Sequence, residues 1–234
     1  ISSTASLTSD NVYVNITFEE SVFDTTSGSG ELEVSDVVLS LSGGTATLST
    51  TTPITITKLA NPNEYRIQIS LNGVANGDEI LTIRPAVNSV YDALGNPAST
   101  SQSSNTISLF DLTPPTIIST SVSSTNANIS VTFSEPIYNT TGGSGAIQAS
   151  DFTLSNSGGA AFVPPTPSSI SVSGNIYTLG LSISGTPNGN EIITVVPSSS
   201  TAIYDASDNA ASTSQSSNTI ILNEKVLPII SASS

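Results

Sequence analysis

Acidic residues are the best chemical lead in this sequence, because they recur at matching places in its two halves. The second half holds six: Glu135, Asp151, Glu191, Asp205, Asp208 and Glu224. Five of these fall opposite Glu20, Asp36, Glu79, Asp92 and Asp111 of the first half. In a chain with only 9% charged residues, such repetition marks the positions as placed. Hard oxygen ligands in that number suit calcium, which takes six to eight oxygens from carboxylates, carbonyls and water. Several carboxylates gathered without a cation would repel one another or be pushed to higher pKa values.

Other chemistries lack their residues. With no His and no Cys, Ser-His-Asp triads, Cys-His pairs and histidine or thiolate zinc sites are excluded. Two carboxylates can hydrolyse a glycoside, but there is no Trp, and most Tyr and Phe sit at alternating strand positions and read as core. Glu19 and Glu20 are neighbours, so in a strand they point to opposite faces. Gly28–Gly30 and Gly142–Gly145 resemble phosphate-cradling loops only in composition, since no Lys and helix follow. A net charge of −14 with four basic residues argues against nucleic acid and anionic membrane surfaces as partners. No apolar run approaches the roughly 18 residues of a bilayer span, so membrane insertion is not expected. The composition gives no reason to expect an enzyme.

The elements that must position these carboxylates come in two copies. Phe18–Gly30 reappears as Phe133–Gly145, and Ala98–Ile107 recurs unchanged as Ala211–Ile220. The expected organisation is a first repeat over 1–111, a Pro-rich linker at 112–115, a second repeat over 116–225, and a tail at 226–234 that begins a further linker or repeat. Residues 1–115 carry 12 acidic and 3 basic side chains, net −9, and residues 116–234 carry 6 and 1, net −5. Within each copy the apolar residues alternate: Val12, Val14, Ile16 and Phe18, then Tyr65, Ile67, Ile69 and Leu71, matched by Ala127–Phe133 and Tyr177–Ile183. Alternation places one strand face on a core and the other in water. Further strands are expected at Val37–Leu41, Thr45–Leu48, Ile54–Leu59, Ile80–Ile83 and Thr106–Leu109, with turns at Gly43-Gly44, Asn72-Gly73, Asn76-Gly77 and Gly95-Asn96. About seven short strands in roughly 110 residues predict an all-β antiparallel β-sandwich in each copy.

Thr132-Phe-Ser-Glu-Pro-Ile137, Ser150-Asp-Phe-Thr153, Tyr204-Asp-Ala-Ser-Asp-Asn209 and Asp111-Leu-Thr-Pro-Pro115 together resemble the bacterial Ig-like tandem repeats of large cell-surface proteins, the S-layer-type Ig repeats and the adhesin repeats of Bacteroidetes. The first copy carries the same motifs as Thr17–Val22, Ser35-Asp36 and Tyr91–Asn96, with Ser21 where the pattern prefers Pro. The second has Asp208 where Gly is usual. The resemblance implies two tandem Ig-like modules in an extracellular, cell-surface stalk or adhesin of a bacterium.

In such a sandwich the loop after the second strand and the last hairpin loop share a pole with the N-terminus. By that analogy Glu135, Asp205, Asp208 and Asn209 would gather there, with Asp111 arriving from the linker, and would bind calcium that stiffens the joint. The first copy would use Glu20 (or Glu19), Asp92 and Asn96. A second reading stays open, in which Asp92 and Asp205 cap turns through their own backbone. The expected role is a semi-rigid spacer whose partners are neighbouring repeats of the same chain and a cell-surface or glycan target. The alternatives are a ligand-binding module, with Val163–Pro167 as its copy-specific patch, or a subunit that self-associates into a filament or layer.

Overall fold

The computed structural model describes residues 1–228; residues 229–234, the end of the expected 226–234 tail, lie outside them. The chain divides into two compact units, Ile1–Thr113 and Pro114–Ser234, and the division falls within the expected 112–115 linker.

Unit 1 contains β1 (Ser3–Leu7), β2 (Tyr13–Thr17), β3 (Val37–Ser42), β4 (Thr47–Leu48), β5 (Thr55–Lys58), β6 (Glu64–Gln68), β7 (Leu71–Asn72), β8 (Ile80–Pro85) and β9 (Thr106–Ser108). They form antiparallel sheets in the orders β1-β2-β6-β5 and β3-β8-β9, with a small β4-β7 pair. Val14, Ile16, Tyr65 and Ile67 of the first sheet and Val37, Leu39, Leu81 and Ile83 of the second belong to one buried cluster. Two sheets on one core are consistent with a β-sandwich. Phe18 meets Tyr65 edge-on, with ring centroids 5.9 Å apart.

Unit 2 repeats the plan. β10 (Ile117–Val122), β11 (Asn128–Phe133), β12 (Phe152–Ser157), β13 (Ser169–Ser173), β14 (Ile176–Gly180), β15 (Ile192–Pro197) and β16 (Thr219–Ile221) give sheets ordered β10-β11-β14-β13 and β12-β15-β16. Its core joins Ile129, Val131, Phe133, Tyr177 and Leu179 to Phe152, Leu154, Ile193 and Val195. The helical turns among the described residues are two short 3-10 turns, Val34–Asp36 and Ala149–Asp151.

The strongly alternating strands fall where expected. The expected strand Thr45–Leu48 shortens to Thr47–Leu48, because the N–H groups of Thr45 and Ala46 donate to a side chain instead of a ladder. β1 and β10 carry no clear alternation and were not anticipated; each is a sheet edge rich in Ser and Thr. The core role read for most aromatics holds for Phe18, Tyr65, Phe133, Phe152 and Tyr177, but Tyr13, Phe110 and Phe162 are exposed and Phe23, Tyr91, Tyr138 and Tyr204 are only partly buried.

Candidate functional site

The expected pole exists inside each unit. Phe23 and Tyr91 exchange backbone hydrogen bonds of 2.9 and 2.8 Å, and Tyr138 and Tyr204 do the same at 2.7 and 2.8 Å. The loop after the second strand is thereby tied to the late hairpin loop. In unit 1, Glu19, Glu20, Asp92, Asn96 and Gln102 line one cleft of about 470 Å³ at this end.

The aspartates at this end are already engaged. Asp92 Oδ1 accepts from the N–H groups of Leu94 and Asn96, both at 2.8 Å, and its Oδ2 accepts from Asn96 Nδ2 at 2.7 Å. Asp205 does the same with Ser207, Asn209 and Asn209 Nδ2, at 2.8 Å each, and is fully buried. This is the turn-capping geometry, and it uses three of roughly four acceptor sites on each carboxylate. Asn96 donates the bond that does most to hold the Asp92 carboxyl below its ordinary pKa. Asp36 and Asp151 also cap, each accepting at 2.7 Å from a backbone N–H, of Glu33 and Gln148 respectively.

The other expected ligands are placed as follows. Glu20 is exposed and Glu135 half-buried, with Ser134 Oγ 3.5 Å from Glu135 Oε1. Asp208 sits at φ +72°, where unit 1 has Gly95 at +85°, which is the physical reason Gly suits that position. Its carboxylate accepts from the N–H of Gly142, tying down the 139–145 loop, a contact absent from the sequence reading. Asp111, in unit 1, bridges Asn76 and accepts from Thr113 N–H at 2.9 Å. The Val163–Pro167 segment does not form an exposed patch throughout, since Val163 and Pro167 are buried and Val163 packs in the core.

The carboxylates with the most consequential surroundings are Glu79 and Glu191, both fully buried. Glu79 Oε1 accepts from Thr45 and Ala46 N–H at 2.7 and 2.8 Å, and its Oε2 from Asn76 and Gly77 N–H at 3.0 and 3.1 Å. Glu191 Oε1 accepts from Ala160 and Ala161 N–H at 2.8 and 3.0 Å, and its Oε2 from Asn188 and Gly189 N–H, both at 3.1 Å. One side chain thus clamps two loops in each unit. A Cβ on Gly44 would fall 2.1 Å from Glu79 Cδ, and one on Gly159 would fall 2.2 Å from Glu191 Cδ, so the Gly-Gly pairs are what admit the clamp. The clamped 75–77 loop in turn holds the chain before the prolines: Leu112 N–H and Thr113 Oγ1 both donate to Ala75 O at 2.9 Å.

Two asparagine pairs complete the closure. Asn11 and Asn126, buried at φ +58° and +60°, each present an amide as a strand would. Asn11 exchanges two 2.8 Å bonds with the backbone of Phe110, and Asn126 exchanges bonds of 2.7 and 2.9 Å with Asn223. Asn105 and Asn218 donate to Ile83 O and Val195 O at 2.8 and 2.9 Å. The sequence reading did not single out these asparagines. The usable signals were the recurring Asn-Gly-x-Glu at 76–79 and 188–191 and the matched Asn positions in loops otherwise free to vary.

Burial pushes the Glu191 carboxyl up, but its backbone N–H donors outweigh this and hold it at about 2, against an ordinary 4.5. Glu79 is lowered by the same balance. A carboxyl with a depressed folded-state pKa stabilises the fold fully above its unfolded value, and that stability drains as pH falls through the folded value. Asp36, raised by its own desolvation, acts in the opposite sense. The urea midpoint should therefore hold steady from neutral pH to about 5.5 and fall between about 4.5 and 2. Glu191→Gln should lower the midpoint at pH 7 and flatten that acid slope; a slope parallel to wild type would remove Glu191 from the account.

Compared with known proteins, the chain matches no family model, and no curated protein is significantly similar to it. Among the described residues no helix is long and apolar enough to cross a membrane.

Proposed function

We propose that this chain is a non-catalytic structural segment of a surface-exposed bacterial stalk or adhesin: two Ig-like modules in tandem, a short Pro-Pro joint, and calcium as the stiffening ion. The observation that carries the reading is the equivalence of the two units. Both have the same sheet orders, and both are closed by the same contacts at matched positions: Glu79 and Glu191, Asn11 and Asn126, Asn105 and Asn218, Asp92 and Asp205. A spacer needs repeated, self-closed modules more than it needs a site unique to one of them. The extracellular setting rests on the family resemblance.

Calcium would draw on Asp111, Glu135, Asp205, Asp208 and Asn209, and on Glu20, Asp92 and Asn96 in the first copy. What supports it is their repetition and the acceptor capacity that Asp92 and Asp205 retain beyond their caps. A ligand that binds only the folded state adds about 2.7 kcal/mol at a hundredfold excess over its dissociation constant. The melting temperature should rise in millimolar calcium relative to EDTA, and Asp111→Ala and Asp205→Ala should each reduce the rise. An unchanged melt would leave the aspartates as turn caps alone.

A further inference from the structure

In unit 2, β13 is a sheet edge with open main-chain groups. The order β10-β11-β14-β13 leaves one side of it unpaired among the described residues. At the other edges of the unit a neighbouring segment makes a hydrogen bond. Thr120 Oγ1 of β10 donates to Thr219 O of β16 at 3.0 Å, and Leu154 N–H of β12 donates to Pro165 O at 2.7 Å.

The β13 sequence is Ser169-Ile170-Ser171-Val172-Ser173, whose alternation of serine with a β-branched residue is symmetric about Ser171, with Ile170 on one side and Val172 on the other. Its register sets Ile170 and Val172 opposite the buried Leu179 and Tyr177, so both lie on the core side of the sheet, and the serines lie on the outer side. Two antiparallel copies of this strand about a two-fold axis through Ser171 would set Ile170 of each against Val172 of the other. Ser171 would meet Ser171. Val172 is 54% exposed and has apolar surface left to bury in that pairing.

Charge favours the same edge. Residues 152–190 contain no Asp, Glu, Lys or Arg, in a chain of net charge −14. Two copies can meet there without opposing like charges directly. The matching edge of unit 1, β5, reads Thr55-Ile56-Thr57-Lys58. Lys58 stands over the Tyr65 ring at 5.9 Å, and its charge at the strand end guards that edge as lysines on natural edge strands do.

We propose that β13 is a self-association edge, through which a second copy of this chain adds its own β13 in an antiparallel, two-fold pairing. The interface is isologous and closes at a dimer. It joins two four-stranded sheets into one by strand addition. The proposal goes beyond the spacer reading, because it concerns side-by-side association and does not depend on calcium.

The absence of Cys makes the test direct. Ser171→Cys places one thiol on the two-fold axis, where directly opposed strand residues have Cβ atoms about 4.5–5.5 Å apart, close to disulfide reach. Thr57→Cys is the control at the matching position of β5. Under mild oxidation of the full chain, Ser171→Cys should cross-link to dimer at least about tenfold faster than Thr57→Cys. Light scattering of the wild type should show a concentration-dependent dimer. Val172→Lys, a change at an exposed position, should raise its dissociation constant by about tenfold or more with an unchanged melting temperature. Equal cross-linking of the two cysteine variants, a wild type that stays monomeric at high concentration, or a Val172→Lys chain that dimerises as before would each overturn the proposal.

Discussion

Replacing Glu191 by Ala should destabilise unit 2 by about 3–5 kcal/mol, because several buried N–H donors lose their one shared acceptor together, each unsatisfied group costing about 1–3 kcal/mol. Four backbone N–H groups, on Ala160, Ala161, Asn188 and Gly189, would lose their acceptor at once. The loss should appear as a fall of roughly 10–20 °C in the melting temperature of that unit. Glu191→Gln should recover only part of it, because its amide nitrogen would face donors where an oxygen now accepts. Gly159→Ala should act through the same clamp, since its Cβ would occupy the place of Glu191 Cδ and its φ of +65° strains any residue with a side chain. The double variant Glu191→Ala/Gly159→Ala should therefore cost clearly less than the sum of the two. Full additivity, or a Glu191→Ala melt within a degree or two of wild type, would show that the loops close without the carboxylate.

The second large effect is expected at Asn126. Asn126→Ala removes two backbone-mimicking bonds to Asn223 and leaves a side-chain-bearing residue at φ +60°. The expected loss is about 2–4 kcal/mol, from the unpaired groups and the left-handed backbone together. Asn126→Gly separates the two causes, because glycine adopts that φ freely but offers no amide. It should recover about 1 kcal/mol of the loss and no more. Denaturant unfolding of both variants measures this, and a glycine variant as stable as wild type would show that the amide bonds contribute nothing.

How much of this was legible in the sequence follows from which interactions leave a periodic trace. β2, β6, β8, β11 and β14 alternate Val, Ile, Leu, Phe and Tyr against polar residues because one face is buried, and period two records that. The edge strands β1 and β10 bury little, so Ser and Thr occupy much of them and the period fades. The turn-cap reading of Asp92 and Asp205 has direct hydrogen-bond geometry behind it. The expected ligand set leaves out Glu79 and Glu191, which the structure shows as buried loop clamps. Their partners are backbone N–H groups up to 34 residues away, on loops whose side chains carry no record of the bond. Asn11 and Asn126 escaped notice for the same reason: their partners at Phe110 and Asn223 are main-chain atoms about a hundred residues on, at the far end of each unit. Asp208 was noticed as an exception to Gly, and its positive φ supplies the reason.

The most direct test of the central claim, that the chain is a mechanical spacer of two self-closed modules, is to stretch single molecules held at their two ends, in calcium and in EDTA. The account predicts two separate unfolding events. Each should release contour length on the order of 400 Å, as about 110 residues pass to the extended chain at roughly 3.3–3.6 Å per residue. Glu79→Ala and Glu191→Ala should each weaken one of the two events and leave the other unchanged. A single event of about twice that length, or a chain that extends without resisting, would contradict the account.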